Sequence, residues 1–129
     1  MPQYFFMNLK ILDKDFAVCR LSAESIIPDW ALPSSFLSIS RTPTELSIVC
    51  EGELVPLDVK SEKGWRILKV EGTLDFSLTG ILASIANPLS QAKISIFAIS
   101  TFDTDYVLVK QLSLGQACDA LKSSGFNIT

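Results

Sequence analysis

Two short segments hold the residues that could do chemistry. The first is Gly72 to Ile81, GTLDFSLTGI, which joins an apolar run rich in strand formers to a helical pattern. It offers the polar side chains of Asp75, Ser77 and Thr79, with Phe76 and Leu78 between them and Gly80 and Ile81 behind. A helix start leaves backbone N–H groups unpaired and carries the positive end of the helix dipole, which suits a carboxylate. Gly80 would let a ligand approach the backbone closely. The three polar side chains serve equally well as helix caps, and a strand-to-helix turn needs a cap in any case.

The second segment is Ser100 to Asp105, STFDTD. The hydroxyls of Ser100 and Thr101 and the carboxylates of Asp103 and Asp105 suit an ammonium or another cation. Phe102 could cover an apolar side chain. The same residues also make an ordinary hairpin turn. A helix start facing an acidic hairpin would form a site with one positive and one negative pole, the shape of an amino-acid zwitterion.

Other chemistries have little to work with. The chain has no histidine, so the commonest general base and the usual partner of a nucleophilic Ser or Cys are missing. No CxxC, phosphate-cradling glycine loop or metal-ligand spacing occurs, and no cofactor is expected. Catalysis is therefore the poorest reading, and a non-enzymatic role is expected. A formal charge of −3, with eleven Lys and Arg scattered singly, argues against a nucleic-acid or anionic-membrane surface. No apolar run approaches the roughly 20 residues of a membrane span. The start, MPQYFFMNLK, lacks the features of a secretory signal. Cys19, Cys50 and Cys118 sit in apolar contexts and read as reduced core residues, which points to the cytoplasm.

Elements must position the two segments, and the hydrophobic patterning predicts them. Leu9 to Leu21 reads as a strand hairpin around Asp13-Lys14-Asp15. Pro28 and Pro33 limit any helix in AESIIPDWALPSS to a turn or two. FLSIS and ELSIVC follow as strands through Arg41-Thr42-Pro43-Thr44, and a short helix is expected from about Pro56 to Gly64. Trp65 to Val70 is a strand. Leu78, Ile81, Leu82, Ile85 and Leu89 make a helical stripe, with Pro88 expected to bend or fray the last turn. ISIFAIS and DYVLV are strands. Ser113 and Gln116 form a capping-box pattern ahead of a stripe of Leu114, Ala117, Cys118 and Leu121, with Gly125 as the stop and FNI as a final strand.

The order is β-α-β-β-α-β twice, an α+β arrangement with the helices of the first copy shortened. The expected division is residues 1–63 and 64–129, the copies packed side by side. An internal echo supports the repeat: Ile39-Ser40, Thr44, Glu45 and Val49 align with Ile99-Ser100, Thr104, Asp105 and Val109 at one offset. The apolar share of 48% against 19% charged suggests a large core and an apolar face that meets another copy.

At TGILASIANPLSQAKISIFAISTFDTDYVLVK the chain resembles the ACT domains of aspartate kinases, and more closely the small paired-ACT proteins and the cytosolic arginine sensors. WALPSSFLSISRTPTELSIVC extends the likeness into the first half. The resemblance implies tandem ferredoxin-like units, amino-acid effectors bound at interfaces between ACT units, frequent homodimerisation and a regulated protein partner. It also implies ligand contacts at Thr79, Gly80, Thr101, Phe102 and Asp105. An acidic residue that the arginine sensors carry one turn into the helix is Ala83 here, which favours a smaller or less cationic ligand than arginine. The expected function is a non-catalytic regulatory module. The alternative is an interaction or oligomerisation scaffold of the same fold with no ligand pocket.

Overall fold

The computed structural model describes residues 7–71 and 80–129. The chain divides into two compact units, residues 14–65 and residues 1–13 with 66–129. They are called below the N-terminal and C-terminal units.

The N-terminal unit holds β2 (Phe16–Leu21), β3 (Ser38–Arg41), β4 (Leu46–Glu51) and the first half of β5 (Lys60–Val70), after β1 (Asn8–Ile11) of the other unit. Its strands lie in the order β3-β4-β2-β5, every neighbour antiparallel. Between β2 and β3, and again between β4 and β5, stand single 3₁₀ turns, Asp29–Ala31 and Gly52–Leu54. That is a βαββαβ unit whose helices have shrunk to one turn each. Pro28 caps the first of these turns, and Pro33 lies just beyond it. The core follows the two-residue period of the strands: Ala17 and Cys19 of β2 meet Leu46, Ile48 and Cys50 of β4, covered by Ala31 and Val55.

The predicted helix from Pro56 to Gly64 does not form. The turn precedes Pro56, and the polar run Lys60-Ser61-Glu62-Lys63 is strand because it pairs with β2. Gly64 has φ of +81° at the register shift in this pairing, a bulge that favours glycine.

In the C-terminal unit β5 continues into its second half. With it are α1 (Ile81–Gln91), β6 (Ile96–Ser100), β7 (Asp105–Lys110), α2 (Leu114–Ser123) and β8 (Asn127–Ile128). β6 pairs with β7 and β7 with β5. On the other edge of β5 lies β1, antiparallel to β5 (Leu9↔Val70) and parallel to β8 (Leu9↔Ile128). β1 thus stands between the first and last strands of the βαββαβ unit.

The predicted β1–β2 hairpin is accordingly absent. Both runs pair antiparallel with β5, β1 with its second half and β2 with its first. Leu9 is needed in the C-terminal core, where it packs with Leu68, Val70, Val107 and Val109 under the helix residues Ile81, Ile85, Leu89, Ala117 and Leu121.

Both helix stripes take the faces their spacing predicts, except that Cys118 is only half-buried and lies outside the core cluster, and Leu78 lies outside the described residues. The end of α1 does not fray at Pro88: the Ala92 N–H closes on Pro88 O at 3.1 Å. The capping box at Ser113 is not made. A 3₁₀ turn, Gln111–Ser113, leads into α2, and the Gln116 amide reaches Ala92 O at 3.5 Å instead.

Candidate functional site

The β6–β7 hairpin presents the acidic corner. Its last cross-strand pair is Ser100↔Asp105, and the Ser100 hydroxyl donates to Asp105 Oδ1 at 2.5 Å. The four-residue turn between them begins with Thr101, whose N–H and hydroxyl both donate to Thr104 O, at 2.9 and 3.2 Å. Thr101 is thus committed to the turn. Asp103 is exposed at the tip and so is Phe102, at 80%.

Thr104 carries a signal that reading the sequence missed. It is 3% exposed, and its hydroxyl donates to Val70 O at 2.7 Å. That bond ties the acidic corner to the end of β5, one residue before Glu71. A threonine in a polar turn gives no hint from type alone that its hydroxyl is buried and structural.

Gly80 precedes α1 with φ of +77°, and its carbonyl accepts the Ser84 N–H at 2.8 Å. A Cβ there would meet nothing within 4 Å among the described residues. Glycine is favoured at this position by its left-handed backbone, not by close approach. Ile81 is a core residue at 5% exposure. Asp75, Phe76, Ser77, Leu78 and Thr79 lie outside the described residues. Of the predicted set, the structure brings together Ser100 and Asp105.

The N-terminal unit repeats the corner with different side chains. In Thr42-Pro43-Thr44-Glu45, the Thr42 N–H donates to Glu45 O at 2.9 Å and its hydroxyl to the same oxygen at 3.4 Å. Thr42 therefore matches Thr101, an offset of 59 and not the 60 of the sequence echo. In place of Ser100 and Asp105 stand Arg41 and Leu46, again the last cross-strand pair. The Arg41 guanidinium donates from Nη1 to Ala23 O and from Nη2 to Ser25 O, the latter at 2.8 Å.

On the same unit, an open hollow of ≈ 280 Å³ is lined by Arg20, Glu45, Ser47, Lys60 and Glu62 among others. Arg20 and Lys60 are direct cross-strand partners, a like-charge pairing that is unfavourable. Glu51 is 7% exposed, and its carboxylate accepts the Ser35 N–H at 2.6 Å and the Ser35 hydroxyl at 2.7 Å. These bonds hold it below the usual carboxylate range.

All three thiols are free. Burial, and then the neighbouring Cys19, push Cys50 up to about 12; burial also raises Cys19 and Cys118. None has the depressed pKa of a nucleophilic cysteine. Among the described residues no group of three His, Cys, Asp or Glu could hold a metal ion, and no helix is long and apolar enough to cross a membrane.

Comparison with known proteins agrees with this architecture. Protein Atu0741 from Agobacterium tumefaciens superposes with a TM-score of 0.91 at 42% identity, over 96% of this chain and 92% of that one. The aspartate kinase of Clostridium acetobutylicum shares the fold at a TM-score of 0.65 and 15% identity, over 90% of this chain and 34% of the kinase. The human protein named cytosolic arginine sensor for mTORC1 subunit 1 is 36% identical over 100 residues, 70% of this chain. The chain spans only 30% of that sensor's length. An N-terminal-domain family model matches residues 14–58. Residues 60–123 match the model of the ACT domain, and with these relatives and this fold the chain belongs to the ACT-domain family.

Proposed function

We propose that the chain is a non-catalytic regulatory module that binds an amino acid or a similar small effector at an interface between ACT units. In sequence terms the units divide near residues 63 and 64, within the strand they share, and the effector belongs to the second. Its ammonium group meets Asp105, and its carboxylate meets the start of α1 around Thr79 and Gly80. The observation that carries this reading is the Thr104–Val70 bond at 2.7 Å. It anchors the Ser100–Asp105 corner to the end of β5, the strand from which the segment leading to α1 departs. A carboxylate accepts several hydrogen bonds, so the Ser100 hydroxyl orients Asp105 without exhausting it.

The relatives support the class of ligand: one is named as an arginine sensor, and aspartate kinases share the fold. We read the module as cytoplasmic and homodimeric, passing effector binding to a protein partner through the packing of ACT units.

A thermal-shift screen of the common amino acids tests the proposal. At least one should raise Tm in a concentration-dependent way. Asp105→Asn should weaken that ligand about tenfold or more, the loss of a charged partner. Ser100→Ala should weaken it less. Folded protein that responds to none of them defeats the proposal and leaves the scaffold reading. That alternative is motivated by exposed Ile26, Leu57 and Leu112, although single exposed apolar residues are common on soluble proteins.

A further inference from the structure

The two hairpin corners are built on the same turn and finished differently. After the shared Thr-led turn, the C-terminal unit closes its last strand pair with Ser100 and Asp105. The N-terminal unit closes its own with Arg41 and Leu46. Arg41 reaches out of its strand to two backbone carbonyls, Ala23 O and Ser25 O. Those carbonyls lie in the segment that follows β2, the topological counterpart of the segment that follows β5. That segment is itself a tight turn, with the Ser25 N–H on Ser22 O at 3.0 Å and the two serine hydroxyls 2.8 Å apart. Ser100, at the equivalent position, gives its hydroxyl to Asp105 across the strand pair.

We propose that the carbonyls of Ala23 and Ser25 form a guanidinium site that the chain fills with its own Arg41. The N-terminal corner is thereby closed from within, and only the C-terminal corner takes a free effector. A planar guanidinium directs separate N–H donors to two acceptors at once, which an ammonium on a flexible stem does less well. Leu46 supplies no carboxylate across the strand pair, and the Arg41 guanidinium turns to the two carbonyls instead. The guanidinium site stands on the Arg41 contacts; only the consequence of one effector per chain rests on the function proposed above.

The test is chemical rescue of Arg41→Ala in the full chain. Its Tm should fall by roughly 5 °C. Ethylguanidinium chloride at a few tens of millimolar should restore at least half of the loss, while ethylammonium at the same ionic strength should not. Amide NMR shifts on adding ethylguanidinium should concentrate at residues 22–26 in the variant and be absent there in the wild type. Equal recovery with ethylammonium, no recovery in a folded variant, or shifts confined elsewhere would overturn the proposal. Should Arg41→Ala fail to fold, Arg41→Lys decides. It keeps the charge but not the fork, so it should lose stability and regain it with ethylguanidinium; wild-type stability would refute the site. No amino acid enters this experiment, so a failed effector screen and a failed rescue are separate results.

Discussion

Ser100 and Asp105 are set apart from their neighbours by what their atoms touch. The Ser100 hydroxyl fixes one oxygen of Asp105, while Thr101, one residue on, is absorbed by the turn and Ile81 by the core. Glu51 shows the opposite use of a carboxylate. Both Ser35 donors bond it, and the Ser34 hydroxyl accepts the Glu51 N–H at 2.8 Å, so it fastens the end of β4 to the loop before β3. Its lowered pKa fixes the sign of its pH dependence. The stability it supplies is present above the ordinary glutamate value of about 4.5 and is lost as pH falls through the lower folded value. Glu51→Gln should therefore cost roughly 1–2 kcal/mol at pH 7. In urea titrations at both pH values, the gap to wild type should shrink by pH 3.

Both helices stop by the same device, with different residues in the strained place. After α1 the Ile94 N–H returns to Leu89 O at 3.0 Å, and after α2 the Phe126 N–H returns to Leu121 O at 3.1 Å. Ile94 and Phe126 then turn into the core. The left-handed residue is Gly125 after α2, at φ +99°, and Lys93 after α1, at φ +61°. A side chain in that region costs on the order of 1 kcal/mol. Lys93→Gly should stabilise the protein by up to about 1 kcal/mol, and Gly125→Ala should destabilise it by about 1–2 kcal/mol. Chemical denaturation of the two variants should move in opposite directions. The Gly125 stop was legible in the sequence because glycine advertises a left-handed cap. The Lys93 stop was not, because lysine there follows from the geometry of the closure and not from its own preference.

Across the chain, the buried thiols give a probe of each unit. Cys19 and Cys50 belong to the N-terminal core and Cys118 is half-buried on α2. At pH 8 a thiol reagent should label Cys118 first, with Cys19 and Cys50 reacting only as the N-terminal unit opens; mass spectrometry of the labelled peptides would show the order. Their raised pKa values also predict a loss of stability as pH climbs above the ordinary thiol value of 9.0. There the unfolded chain gives up protons that the folded one keeps.

The hydrophobic periods alone determined the strands and helices of the C-terminal unit and the loss of helix around Pro28 and Pro33, since period and proline act within a few residues. The likeness of the two hairpin turns was legible too, but its offset was not. A one-residue difference at the turn leaves the residue types similar while changing which side chains face each other, so Arg41 came to stand where Ser100 stands. Strand pairing was decided only in three dimensions. Nothing local tells β1 to leave β2 and lie between β5 and β8, or a polar run from Lys60 to Lys63 to become strand. Both follow from backbone partners far along the chain and from apolar faces, such as that of Leu9, which tertiary packing alone could cover.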